Sequence, residues 1–250
     1  MCCALRMRFA KLRRQRYPNE KESGMSDRDS LRQFMHLCFK AHPWHGVPIG
    51  DDWPEVINAY VEIVPTDTVK YEMDKASGIL KIDRPLRFSN ICPAPYGLIP
   101  QTYCGDRVAD LFSKRSGRSG ISGDGDPLDV CVLTEKAISH GDILLQAIPI
   151  GGLSMVDHNE ADDKIVAVMK DDVAFGEWRD ISDVPRPVID RLEHYFLTYK
   201  RPPGATKSTT KITLVYDRQE AYRVIRASHE DYEEKFPNLV GATGELAPGE

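Results

Sequence analysis

The chain has 250 residues, with 33 Lys plus Arg against 38 Asp plus Glu and a formal net charge of −5. At 41% hydrophobic and 28% charged it is too apolar for a mostly disordered chain. It holds no run near the ~18 apolar residues of a membrane span, and its acidity argues against a protein that coats nucleic acid. The charge is uneven along the chain. Residues 1–24 carry seven basic residues against two acids, Glu20 and Glu22. Residues 124–172 carry eleven acids against Lys136, Lys164 and Lys170.

Residues 1–24 lack an apolar period and read as a basic flexible extension ahead of Met25. An upstream start codon and a transit peptide are the alternatives. Residues 25–56 read as an N-terminal helix and loop. Leu31, Phe34, Met35 and Cys38 place a helix over 27–40, and a turn-rich loop follows from His42 to Pro48. Cys38, His42 and His45 make half a zinc site at most, with ordinary side chains as the alternative. The six cysteines are scattered without a C-x-x-C pair, which fits reduced thiols in a cytoplasmic protein.

From residue 57 the apolar period becomes two. Ile57, Ala59, Val61 and Ile63 share one strand face, and Val69, Tyr71 and Met73 share the next. A turn at 75–78 leads to a third strand over 79–84. Further strands are expected over 128–133, 143–150 and 164–169. Short strands joined by Gly and Pro turns predict a mainly β (α+β) protein built on a small closed barrel with flanking helices. Ser119, Ser122 and the nearby arginines read as a mobile surface insertion. Ile189, Leu192, Phe196 and Tyr199 mark a helix behind Pro185 and Pro187, and a second helix is expected over 217–230. Residues 241–250 read as a disordered tail.

Asp124-Gly125-Asp126-Pro127-Leu128-Asp129 places three carboxylates within six residues, directly before an apolar strand. Two unit charges 4 Å apart repel by about 4 kcal/mol at an effective dielectric of 20. Such a cluster is either a solvated turn capping the strand or a site that recruits a cation. Oxygen donors without nearby His or Cys favour Mg²⁺, Mn²⁺ or Ca²⁺ over zinc. An EF-hand loop fits poorly, because Asp129 stands where Gly is required and Pro127 intrudes. A second acidic loop holds Asp157, Glu160, Asp162 and Asp163, then Lys164. Two such loops at strand ends can meet at one rim. Lys70, Arg84, Tyr96, Lys164, Tyr199 and Lys200 supply the complementary basic and phenolic groups, and Glu72 shares a strand face with Lys70. Metals with Lys, Arg and Tyr describe a site for a small, densely anionic ligand such as a phosphate ester or anhydride. An OB-fold nucleic-acid module is the binding-class alternative, disfavoured by the acidic loops. A metal-dependent phosphoesterase for another substrate is the alternative among enzymes.

The run Asp124 to Val130 resembles the signature D-[SGDN]-D-[PE]-[LIVMF]-D-[LIVMGAC] of the soluble family I inorganic pyrophosphatases. The resemblance extends over roughly 45–202. It includes Glu62, Lys70-Tyr-Glu72-Met-Asp-Lys75, Ile82-Asp-Arg84 and Pro93-Ala-Pro-Tyr96-Gly. Asp157 with Asp162 and Lys164, then Tyr199-Lys200, complete it. It implies a five-stranded, OB-like closed barrel over residues 57–202, interrupted by the 104–123 insertion, with 203–250 as a C-terminal helix and tail. It implies hydrolysis of pyrophosphate to two phosphates in the presence of Mg²⁺, with Mn²⁺ as a substitute. Asp124, Asp129 and Asp162 are then the principal metal ligands, with Asp157 and Glu62 holding further ions. Asp126 is the general base. Lys70, Arg84, Lys164, Tyr199 and Lys200 bind phosphate oxygens, with Tyr96 and Glu72 beside the site. No nucleic-acid or membrane partner is implied. Family members form homo-oligomers, and a hexamer is favoured over a dimer. The chain departs from the pattern at Cys92, at His158 and in the 104–123 insertion.

Overall fold

The computed structural model describes residues 40–86, 89–201, 204, 209–237 and 239. The basic extension over 1–24, all but the last residue of the helix over 27–40, and the tail over 241–250 lie outside them. The described chain opens with β1 (Ile57–Ile63), β2 (Val69–Met73), β3 (Leu80–Pro85), β4 (Tyr96–Leu98) and α1 (Asp106–Ser116). Then come β5 (Ser122–Gly123), β6 (Asp129–Leu133), β7 (Ile143–Asp157), β8 (Glu160–Ala161) and β9 (Lys164–Met169). A 3₁₀ turn (Ile181–Asp183), α2 (Arg186–Thr198), β10 (Thr210–Asp217) and α3 (Arg218–Lys235) complete it. The protein is mainly β with a few helices.

β1 pairs antiparallel with both β4 and β7. β4 pairs antiparallel with β6, β6 parallel with β9, and β9 antiparallel with β7. β10 and β8 add to the far half of β7, and β5 adds to β8. β2 and β3 form a separate two-stranded sheet.

The apolar patterning explains where the cores sit. On β6 and β9, Val130, Val132, Ile165 and Ala167 pack in one core, and Cys131, Leu133, Val166 and Val168 in another. Both faces of these strands are buried, so they read as continuous apolar runs. The first core is filled by Val108 and Phe112 of α1 and by Ala221, Val224 and Ile225 of α3. The second is filled by Ile189, Leu192 and Phe196 of α2, as the helical spacing requires. None of the helices among the described residues is long and apolar enough to cross a membrane.

Three elements differ from the sequence reading. Residues 106–116 form a helix, and Phe112 is fully buried, so this stretch belongs to the core rather than to a mobile surface. Its first turn is capped from α3: the Asp231 carboxylate accepts the N–H groups of Gly105, Arg107 and Val108 at 3.1–3.2 Å. Its end is the left-handed Gly117. β7 runs on through Gly151 and Gly152 to Asp157 instead of stopping at Ile150. The two glycines are required by a close approach, because a Cβ at Gly152 would lie 2.4 Å from the Tyr216 hydroxyl. β10 is the third difference, a strand where none was expected.

A third cluster joins Trp44, Tyr60, Met73, Leu98 and Tyr232. His45 stacks on Trp44 at 4.4 Å and its Nδ1 lies 3.0 Å from the Tyr232 hydroxyl. His42 and His45 are thus part of an aromatic cluster, with ring centroids 4.7 Å apart. His42 and His45 join no group of three metal-holding side chains among the described residues, and Cys38 lies outside those residues. Burial, then the neighbouring His42, lowers the His45 pKa from 6.5 to about 4.

Two outcomes follow from this packing. Phe112→Ala lowers unfolding free energy by about 3–5 kcal/mol, read by urea denaturation, because the emptied space lies under α1 and cannot refill. His45 binds its proton more readily in the unfolded chain, so its contribution to stability is full above about pH 6.5 and is lost as pH falls toward 4. Thermal melts of wild type and His45→Gln therefore shift in the variant's favour between pH 7 and pH 4.5. A difference that stays constant with pH counts against this.

Candidate active site

The acidic loop before β6 is held by backbone bonds. Gly125 takes a left-handed φ of 75°, and the Asp126 N–H donates to Asp124 Oδ1 at 3.0 Å. Cys104 N–H donates to the Asp126 carbonyl at 2.8 Å, and Gly125 N–H donates to the Cys104 carbonyl at 3.1 Å. Leu128 is fully buried and its N–H donates to the Thr102 hydroxyl at 2.9 Å. An apolar anchor inside an acidic loop therefore fixes the carboxylates on either side of it.

The second acidic loop turns at His158 and Asn159, both at positive φ. It returns the chain to β9, where Lys164 is paired with Asp129 across the parallel β6–β9 ladder. That register brings the two loops to one rim. Glu62 comes from β1, Lys70 and Glu72 from β2, and Tyr96 from the start of β4. Tyr199 caps the end of α2, and Lys200 follows it.

These groups enclose a cavity of about 240 Å³. Every residue given a role by the family resemblance lines it except Arg84, and Asp163 of the second acidic loop does not. Arg84 stands in register with Lys70, but its guanidinium donates to the adjacent Asp83 at 2.7 Å. Two charged lining residues, Lys75 and Glu160, had no role assigned from sequence. Lys75 belongs to the Lys70–Lys75 block and Glu160 to the second acidic loop, so position in a block was the only signal for either.

Lysines neutralise much of the acidity. Lys164 bridges Asp129 and Asp162, Lys75 pairs with Asp126, and Lys200 contacts Asp157 at 3.0 Å. Lys70 contacts Glu72 at 2.8 Å and Asp83 at 3.1 Å. Lys164 is only 4% exposed. Burial alone would lower its pKa, but Asp129 and Asp162 outweigh burial and hold it well above the ordinary lysine value. Burial also opposes ionisation of Asp157, yet bonds from Lys200 and the Thr209 and Thr210 hydroxyls bring its pKa down to about 2.

Three cavity carboxyls are shifted upward instead, Asp162 among them by burial against its contact with Lys164. Burial, then the charge of Asp162, pushes Asp124 up to about 8. Burial pushes Glu62 up to about 8 as well, against the Met73 N–H that it accepts at 2.7 Å. Buried carboxyls with raised pKa values beside other acids are the groups that gain most from a nearby cation. The lining acids offer oxygen donors, and no His or Cys lines the cavity. This donor chemistry fits a hard divalent ion. Tyr96 and Phe196 lie beneath the Lys164 ammonium at 6.0 and 5.8 Å, giving the floor an apolar side.

Known proteins carry the same arrangement of segments. The sequence profile of the inorganic pyrophosphatase family matches residues 59–233. The inorganic pyrophosphatase of Chlamydia trachomatis serovar L2 is 53% identical over 196 residues, covering 77% of this chain and 94% of that protein. The soluble inorganic pyrophosphatase of Oryza sativa subsp. indica is 40% identical over 161 residues, 64% of this chain and 66% of that one. The crystal structure of inorganic pyrophosphatase from Thermus thermophilus superposes with a TM-score of 0.64 at 30% identity, covering 76% of this chain and 99% of that chain. The likeness runs from β1 into α3, through every element that supports the cavity, and it places this chain in the soluble family I inorganic pyrophosphatases.

Proposed function

We propose that this enzyme hydrolyses pyrophosphate to two phosphates with Mg²⁺ bound at the acidic rim, Mn²⁺ serving as a substitute. The observation that carries the reading is the convergence of eight carboxylates and four lysines on one small cavity. A polyanion cannot approach so many carboxylates without cations, and lysines alone leave the site acidic. At about 240 Å³ the cavity falls below the roughly 300–1,000 Å³ of pockets for larger ligands, which favours pyrophosphate over a nucleotide or sugar phosphate. The acidic lining likewise disfavours nucleic acid.

Asp124, Asp129 and Asp162 would hold the principal ions, and Asp157 and Glu62 would hold further ones. When bound there, Mg²⁺ would neutralise phosphate charge and acidify a water. Asp126 takes the proton of the attacking water as general base. Lys70, Arg84, Lys164, Tyr199 and Lys200 hold phosphate oxygens and stabilise the charge that develops on the departing phosphate, with Tyr96 and Glu72 beside them. Arg84 reaches substrate by exchanging its bond to Asp83.

The ring of pairings β1–β4–β6–β9–β7–β1 supports a five-stranded, OB-like closed barrel as the catalytic unit over 57–202. Residues 25–56 precede it and 203–250 follow it. We place the enzyme in the cytoplasm, which accords with buried free thiols at Cys92, Cys104 and Cys131. We further propose a homo-oligomer, a hexamer rather than a dimer. Exposed Ile79, Ile82 and Val173 are apolar surface of the kind such an assembly covers.

Phosphate release from pyrophosphate is expected with Mg²⁺, to cease in EDTA, and to fall by about 10²-fold or more in Asp129→Asn. A panel of nucleotides and sugar phosphates should be poor substrates. Release that survives EDTA would remove the metal from the reading, and no release with Mg²⁺ would remove the reading itself. Light scattering is expected to give about six times the 28.2 kDa chain mass. A monomer or dimer would overturn the hexamer.

A further inference from the structure

Arg115 lies in the last turn of α1 with its side chain 7% exposed. Its Nη2 pairs with Asp163 Oδ2, and the Asp163 side chain is 1% exposed. Nε and Nη2 donate to the Ser154 hydroxyl at 3.1 and 2.9 Å, and Nη1 donates to Glu220 at 3.0 Å. The guanidinium stands 4.7 Å from the Tyr216 ring centroid. One side chain thus joins α1, β7, β10, α3 and the second acidic loop. This fork uses the geometry that distinguishes arginine from lysine.

Asp163 sits between two residues of the cavity. Asp162 and Lys164 line it, and Asp163 points to the opposite side, toward α1. Residues 162 and 163 belong to neither β8 nor β9. The Asp162 N–H donates to the Met155 carbonyl at 2.9 Å, and the ladder resumes at Lys164. The ion pair therefore clamps a break in the sheet where two site residues leave the backbone. Stability is a weak reason for such a clamp, because a buried ion pair often contributes no more than apolar side chains of the same volume. Orientation is a stronger one.

We infer that Arg115 is a positioning residue for hydrolysis: by fixing Asp163 it holds Asp162 and Lys164 where metal and phosphate meet them. The inference rests on the proposed roles of those two residues. Positioning partners of metal ligands typically change metal affinity or activity by about 10–100-fold when removed.

The test uses the full chain in its native assembly. Wild type, Arg115→Met, Arg115→Lys and Ile225→Ala are compared, the last a buried truncation on α3 with no side chain in the cavity. Mn²⁺ binding is read directly by electron paramagnetic resonance, alongside Tm, half-saturating Mg²⁺, KM and kcat. Arg115→Met is expected to weaken Mn²⁺ binding and to raise half-saturating Mg²⁺ and KM by about tenfold, with a smaller fall in kcat. Arg115→Lys recovers part of this. Ile225→Ala loses Tm and keeps wild-type metal affinity. Wild-type affinity and KM in folded Arg115→Met, or the same weakening in Ile225→Ala, would overturn the inference. If Arg115→Met does not fold, Arg115→Lys decides: weakened Mn²⁺ binding upholds the clamp, and wild-type binding overturns it. Absent wild-type hydrolysis would strike the functional reading instead, and Mn²⁺ binding would still decide on Arg115.

Discussion

Repulsion among carboxylates gathered at one rim is the constraint that the rest of the site answers. Two such charges at 4 Å oppose each other by about 4 kcal/mol at an effective dielectric of 20, and eight acids line one cavity here. The fold holds them together by means that do not involve the charges themselves. Leu128 is buried under Asp124–Asp129, the β6–β9 register sets Asp129 beside Lys164, and a two-residue turn returns the chain from Asp157. Lysines then take up part of the repulsion, and burial still raises the pKa values of Asp124, Glu62 and Asp162, the last despite its contact with Lys164. A site in this condition is poised for cations, which is what a substrate as anionic as pyrophosphate also requires.

The strands were largely legible in sequence because their patterning is simple. β1 and β2 alternate, and β6 and β9 are continuous apolar runs between turns. The losses have physical reasons. Gly151 and Gly152 look like a break, yet they are the part of β7 over which Tyr216 crosses. β10 was hidden because Lys211, Thr213 and Leu214 remain at the surface, so its alternation is faint. α1 was hidden by the glycines and arginines that follow it, although Val108, Leu111, Phe112 and Arg115 have helical spacing.

The site itself was more legible than the fold around it. Its residues fall in short blocks whose order survives the 104–123 segment, and all but Arg84 reach the cavity. Lys75 and Glu160 were missed because a residue type within a block says little about which way the side chain turns. Arg115 carried still less signal. Its importance comes from burial and from Asp163, and neither is a property of its own segment.

The length of β7 has a consequence of another kind. Its near half bonds β1, the first described strand, and its far half bonds β10, which comes after α2. Strands separated by some 150 residues of chain therefore share one spine. Contacts of such long range carry a high loop-closure cost in folding. The acidic loops at the end of β7 therefore stand on pairings that tie the first described strand to the last.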